Sequence, residues 1–220
     1  MSAAWHAEHG ASDAAPALPA HPLVEPPPPE CQADIWPEPV YVPDDRRTPS
    51  WWLVGACGGA GVSMLTASWS IAGDTQRAFP GGFEEESPFV LVVAREHAAG
   101  IGQAHDLLTQ HLAGYGGPTT LLGLVTVAAK PGKLAAPLRQ RLEVVAGLVD
   151  DRHWHIPWIE QWISLTPSEL PSWSPGDPIG TGRKREPPET TVPREVAAAG
   201  ESIRATILQF LHTPTEERQS

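Results

Sequence analysis

The stretch WWLVGACGGAGVSML, residues 51–65, decides the fold. Four apolar residues, Trp51 to Val54, run straight into a glycine cluster, and helix-forming residues follow from Ser63 to Ala72. A buried strand that turns through glycines into a helix presents backbone N–H groups and the positive end of a helix dipole to an anion. Gly58, Gly59 and Gly61 supply the freedom for the turn, with Ala60 between them, and Ser63 stands where a hydroxyl reaches Mg2+ in a working phosphate loop. The lysine such a loop places just before that hydroxyl is missing. Val62 occupies its position, and Ala56 stands where the general pattern has its first glycine.

Working outward, Leu65, Trp69 and Ala72 fall on one helical face. Residues 73–88 carry turn residues and three consecutive glutamates, Glu84 to Glu86, and read as a loop. FVLVVAR (89–95) is a continuous apolar strand of the kind buried on both faces. A helix follows with Ala104, Leu107, Leu108 and Leu112 inward, stopped by GYGGP at 114–118. TLLGLVTVAA (120–129) is the next strand, and KPGK leads to a helix carrying Leu134, Leu138, Leu142, Val145 and Val149. HWHIPWIEQWI (153–163) gives a short strand broken at Pro157 and an aromatic turn. The order β-α-β-α-β-α-β predicts a compact, doubly wound α/β fold, a mainly parallel sheet of about four strands with flanking helices.

The flanks differ from this middle. Of the 25 prolines, 11 lie in residues 1–50, 8 in 167–220 and only 6 between. Proline removes a backbone donor and disfavours helix before it, so both ends read as extended. The expected organisation is a disordered Pro-, Ala- and acid-rich arm (1–48), the α/β domain (49–166) and a Pro-rich linker (167–191). An amphipathic helix (192–212) bearing Val196, Ile203, Ile207, Phe210 and Leu211 on one stripe, and a disordered tail (213–220), complete it. Within the arm, Trp36 and Tyr41 are the residues able to fold back on the domain or to form a linear motif.

The net charge of −11 divides as −6 over residues 1–50, −3 over 51–166 and −2 over the rest. That balance opposes binding to a phosphate backbone, so no direct nucleic acid binding is expected. The basic run Arg183-Lys184-Arg185 sits among prolines and acids and reads as solvated linker. Cys31 and Cys57 make no disulfide framework, no apolar stretch reaches the roughly 20 residues of a membrane span, and the first residues lack a basic-then-apolar pattern, so no signal sequence is expected. The expectation is a cytoplasmic protein.

CGGAGVS (57–63) resembles the deviant Walker A loop, KGGxGK[ST], of the ParA/MinD-like P-loop ATPases. Gly58, Gly59, Gly61 and Ser63 match it; Cys57 and Val62 replace its two lysines. The order of elements over residues 51–165 is similar, and HIPWIEQW is similar to the family's isoleucine-proline segment. LLGLVTVAAKPGKLAAPLR and WHIPWIEQW look closer still to an actinobacterial family of degenerate P-loop proteins with no assigned activity, some encoded beside conjugation genes. Such ATPases carry metal- and water-positioning aspartates between the loop helix and the next long strand. Here that interval is read as loop, with Asp74 one turn past the helix as a poor substitute. The resemblance implies a non-catalytic, pseudo-ATPase-like adaptor with a protein partner, such as a larger ATPase of a DNA-transfer or partitioning machine. The alternative is a nucleotide-binding switch with weak or trans-complemented ATPase activity, which takes ATP and Mg2+ at Gly58–Ser63 and recruits Arg95 or Lys133, or a second subunit, for the missing charge.

Other chemistries find little support. Gly55, Gly59 and Gly61 also match the GxxxGxG loop of short-chain dehydrogenases, but neither Tyr41 nor Tyr115 has the lysine four residues on that such enzymes use. His153 and His155 lack the cysteine or carboxylate partners of a metal site and read as strand-flanking residues. His97, His105 and His111 share no helical face and read as surface. Trp154, Trp158 and Trp162 recur every four residues, as core or as the aromatic anchors of a partner interface.

Overall fold

The continuous apolar runs become strands buried on both faces. The computed structural model describes residues 24–180 and 190–212; residues 1–23, the Arg183-Lys184-Arg185 run and the 213–220 tail lie outside the described residues. Five parallel strands form one sheet in the order β2-β1-β3-β4-β5: β1 (Trp51–Gly55), β2 (Ala72–Asp74), β3 (Phe89–Arg95), β4 (Thr120–Val127) and β5 (His153–Ile156). The doubly wound α/β expectation holds, with one strand more than the sequence suggested.

Alternation along the strands divides the core. Trp51, Leu53, Leu91, Val93 and Val125 face α1 (Val62–Ser68) and α4 (Arg194–His212). Trp52, Val54, Val92 and Leu124 face α2 (Ala98–Gln110) and α3 (Ala136–Gly147). The C-terminal helix therefore packs on the domain, through Val196, Ala199, Ile203 and Ile207, while Leu211 at its end is exposed.

Two local readings change. The loop helix stops at Ser68, and Ala72, expected on its face, begins β2. Trp69 donates its indole N–H to Val196 O at 2.8 Å and pairs with Trp173 in an isolated parallel bridge. That bridge, with Trp173 buried at 3% exposure, anchors a segment expected to be linker. The second helix, by contrast, ends where expected: it continues past Gln110 as a π-helical turn, His111–Tyr115, broken at Gly114 (φ 87°) within the GYGGP stretch.

From Val24 onward the N-terminal segment runs over the domain. Ile35 bridges Phe79, Gln110 holds both Ala33 N–H and Ala33 O at 2.8 Å, and Val40 is buried. Trp36 is the residue that folds back, donating its indole N–H to Thr75 O at 2.8 Å, whereas Tyr41 stays exposed. Glu86, expected in an acidic loop, accepts from Val40 N at 2.7 Å and from Gly82 and Phe83 N.

Candidate functional site

The glycine turn opens at the carboxyl edge of the sheet, next to the point where strand order reverses between β1 and β3. In open α/β sheets ligands occupy the crevice at such a switch point. Ala56 N–H donates to Val93 O at 2.8 Å, so the chain leaves the sheet alongside β3. Gly59 (φ 73°) and Gly61 (φ 103°) take left-handed backbone that a side chain would strain. Gly58, Gly59 and Ser63 are exposed, whereas Ala60 and Val62 are buried. The side chain at the lysine position thus belongs to the core: a Cβ added to Gly55 would lie 3.2 Å from Val62 Cγ2. Cys57, at the other lysine position, is half-buried against the same cluster.

Above the turn lies a cleft of about 710 Å3. Its floor is the 57–63 loop; its walls are Asp74 at the end of β2 with Gln76 and Arg77 beyond it, Arg95 at the end of β3 with His97 beyond it, and Ala129 after β4. Two cations therefore reach the loop that lost its lysines. Arg95 was an expected donor, but Lys130 and Lys133 are exposed and do not line the cleft. Arg77 was not foreseen.

Asp74 is corrected by the sheet. It ends a strand hydrogen-bonded to β1, in register with Leu53, instead of following a helix. Its Oδ1 accepts from Gln76 N at 2.7 Å, and Gln76 (φ 52°) and Arg77 (φ 73°) both adopt left-handed backbone beside the cleft. Such conformations cost about 1–3 kcal/mol each and cluster at ligand-binding and switch sites. The signal available in the sequence was spacing: Asp74 stands nineteen residues beyond Gly55, near the roughly 20 that separate a dinucleotide loop from its ribose-binding acid.

The three tryptophans separate. Trp154, in β5, packs against the α4 side of the core and donates to Ser202 Oγ at 2.9 Å; Trp162, in a 3-10 turn, packs on the same cluster. Trp158 is half-buried, donates to Glu160 Oε2 at 2.7 Å, and lies under the Arg95 guanidinium at 6.0 Å. A smaller cavity of about 150 Å3 between Trp158, Trp162 and exposed Ile163 shares Met64 and Arg95 with the main cleft.

One cluster escaped the sequence reading. Glu96, buried just past β3, accepts from Thr126 Oγ1 at 2.9 Å and from His155 Nδ1 at 2.8 Å, and Thr126 Oγ1 in turn accepts from His153 Nε2 at 2.8 Å. Burial alone would raise the Glu96 pKa, but the bonds from His155 and Thr126 together hold it below the usual carboxylate value. The bond to Glu96 raises His155; burial, then the His155 charge, lowers His153. His155 thus finds a carboxylate and His153 is linked to it through Thr126, yet no group of three or more metal-binding side chains among the described residues is arranged to hold an ion. His111, expected at the surface, is packed beside Phe79 at 5.6 Å between ring centroids and bonded to Thr119 Oγ1.

No protein-family model, curated protein or solved structure matches the chain. The functional assignment rests on the residues themselves. No helix among the described residues is long and apolar enough to cross a membrane.

Proposed function

We propose that the chain is a non-hydrolysing nucleotide-binding protein, a pseudo-ATPase-like switch that reports its bound state to a protein partner. The observation that carries this reading is the convergence of Arg77 and Arg95 on the cleft of the glycine loop. A loop without lysine still offers backbone N–H groups, and guanidinium groups from neighbouring strand ends replace the missing charge with forked donors suited to phosphate. Arg95 also lies over Trp158. A phosphate that draws Arg95 into the cleft removes it from the ring and alters the aromatic edge a partner would read. The link to a DNA-transfer or partitioning machine rests on the resemblance alone.

A second reading, the loop as a purely structural turn in an adaptor, is favoured by the burial of Ala60 and Val62. Calorimetric titration with ATP and ADP, with and without Mg2+, separates the two. The switch reading expects micromolar binding without turnover, weakened roughly tenfold or more in Arg95→Ala, since a charged hydrogen bond contributes about 1.5–3 kcal/mol. No heat up to millimolar nucleotide leaves the adaptor reading.

A further inference from the structure

The carboxylate in the cleft wall has no role in holding phosphate. Asp74 stands at the carboxyl end of the strand beside β1, and one of its oxygens is engaged by Gln76 N–H. The other has no partner among the described residues and, although Arg77 is three residues on, no ion pair ties it down. The backbone around it is fixed from two sides. Thr75, fully buried, donates its hydroxyl to Leu53 O at 3.1 Å, and Trp36 donates to Thr75 O. A carboxylate oxygen held this way, at the rim of a cleft whose other wall is cationic, complements a ligand with adjacent hydroxyls at one end and phosphate at the other. The cleft volume lies within the roughly 300–1,000 Å3 of small-molecule sites.

We propose that Asp74 is the specificity-determining residue of the cleft, its free oxygen accepting hydrogen bonds from the 2′- and 3′-hydroxyls of a ribonucleotide. This rests on the nucleotide reading above and adds its substrate class: ribonucleotides with an unmodified 2′-hydroxyl, in preference to 2′-deoxynucleotides. A 2′-phosphate would meet the carboxylate and be repelled. The phosphates then lie over Gly58–Gly61 toward Arg95, where the buried Val62 leaves no lysine for a terminal phosphate.

The test is calorimetry of the full chain with ADP, 2′-deoxy-ADP and pyrophosphate, each in EDTA and in Mg2+, for the natural protein, Asp74→Ala and Asp74→Asn. The asparagine variant keeps an acceptor for the Gln76 amide, and thermal melting checks that both variants fold. The expected result is ADP binding roughly ten- to a hundredfold tighter than 2′-deoxy-ADP, in EDTA as well as Mg2+, with the preference lost in both variants. Equal binding of the two nucleotides, or a preference that survives Asp74→Ala, overturns the role of Asp74 while leaving nucleotide binding intact. ADP binding that needs Mg2+ and ignores the sugar assigns the carboxylate to a metal instead. Pyrophosphate binding without ADP binding limits the cleft to phosphate and removes the ribose site; no binding of any of the three overturns both proposals.

Discussion

Single residues carry the clearest pH dependence. Burial, opposed only by the bond to Thr119, pushes the His111 pKa down to about 4 from its ordinary 6.5. The folded chain therefore binds fewer protons than the unfolded chain in that window. His111 costs nothing above pH 6.5, and its penalty grows as pH falls toward about 4. Urea unfolding at pH 7.5 and 5.0 should show this histidine removing about 2 kcal/mol at the lower pH. His111→Phe, which keeps a ring against Phe79, should lose correspondingly less. His153, also depressed, acts in the same direction. His155 acts oppositely: its raised pKa gives stability that is complete below 6.5 and is lost as pH rises through the folded value. The lowered Glu96 contributes above 4.5 and loses its contribution as pH falls through its folded value. None of this was readable locally, because Glu96, Thr126 and His155 come from three different strand ends.

Among elements, the join between α1 and α4 is the most dependent on distant contacts. Trp173 N–H donates to Ser68 O at 2.8 Å, and Trp173 O accepts from Ser70 N–H, so the supposed linker closes the end of α1. The same indole lies against Gly200 of α4, where an added Cβ would approach Trp173 Cζ3 and Trp69 Nε1 to 2.8 Å. Glycine is required there because two indole rings occupy the space of a side chain. Trp173→Ala should cost about 3–5 kcal/mol in chemical denaturation, as expected for removing a buried tryptophan. A cost under 1 kcal/mol would show the segment to be dispensable packing. The strands at the centre were legible because their apolar runs are continuous. β2 was not: three residues, Ala72-Gly73-Asp74, carry no strand signal, and pairing with β1 makes them a strand.

At the scale of the whole molecule, the N-terminal segment is part of the domain and braces the cleft through Trp36. A chain beginning at Pro43 should be less stable than one beginning at Val24 by about 2–4 kcal/mol, from the lost burial of Trp36 and Val40 and the lost bonds to Gln110 and Thr75. Melting the two forms side by side checks this, and equal stability would mean that the segment only rests on the surface. The sequence by itself determined the α/β class, four of the five strands and the glycine turn, because apolar periodicity and glycine backbone freedom are local properties of the chain. Only the tertiary structure decided that Asp74 faces the cleft, that Arg77 and Arg95 converge where the lysine is missing, and that Trp36 and Trp173 are structural. Those outcomes depend on which strand ends and loops meet at one edge of the sheet, and residue patterns within a single element do not encode that meeting.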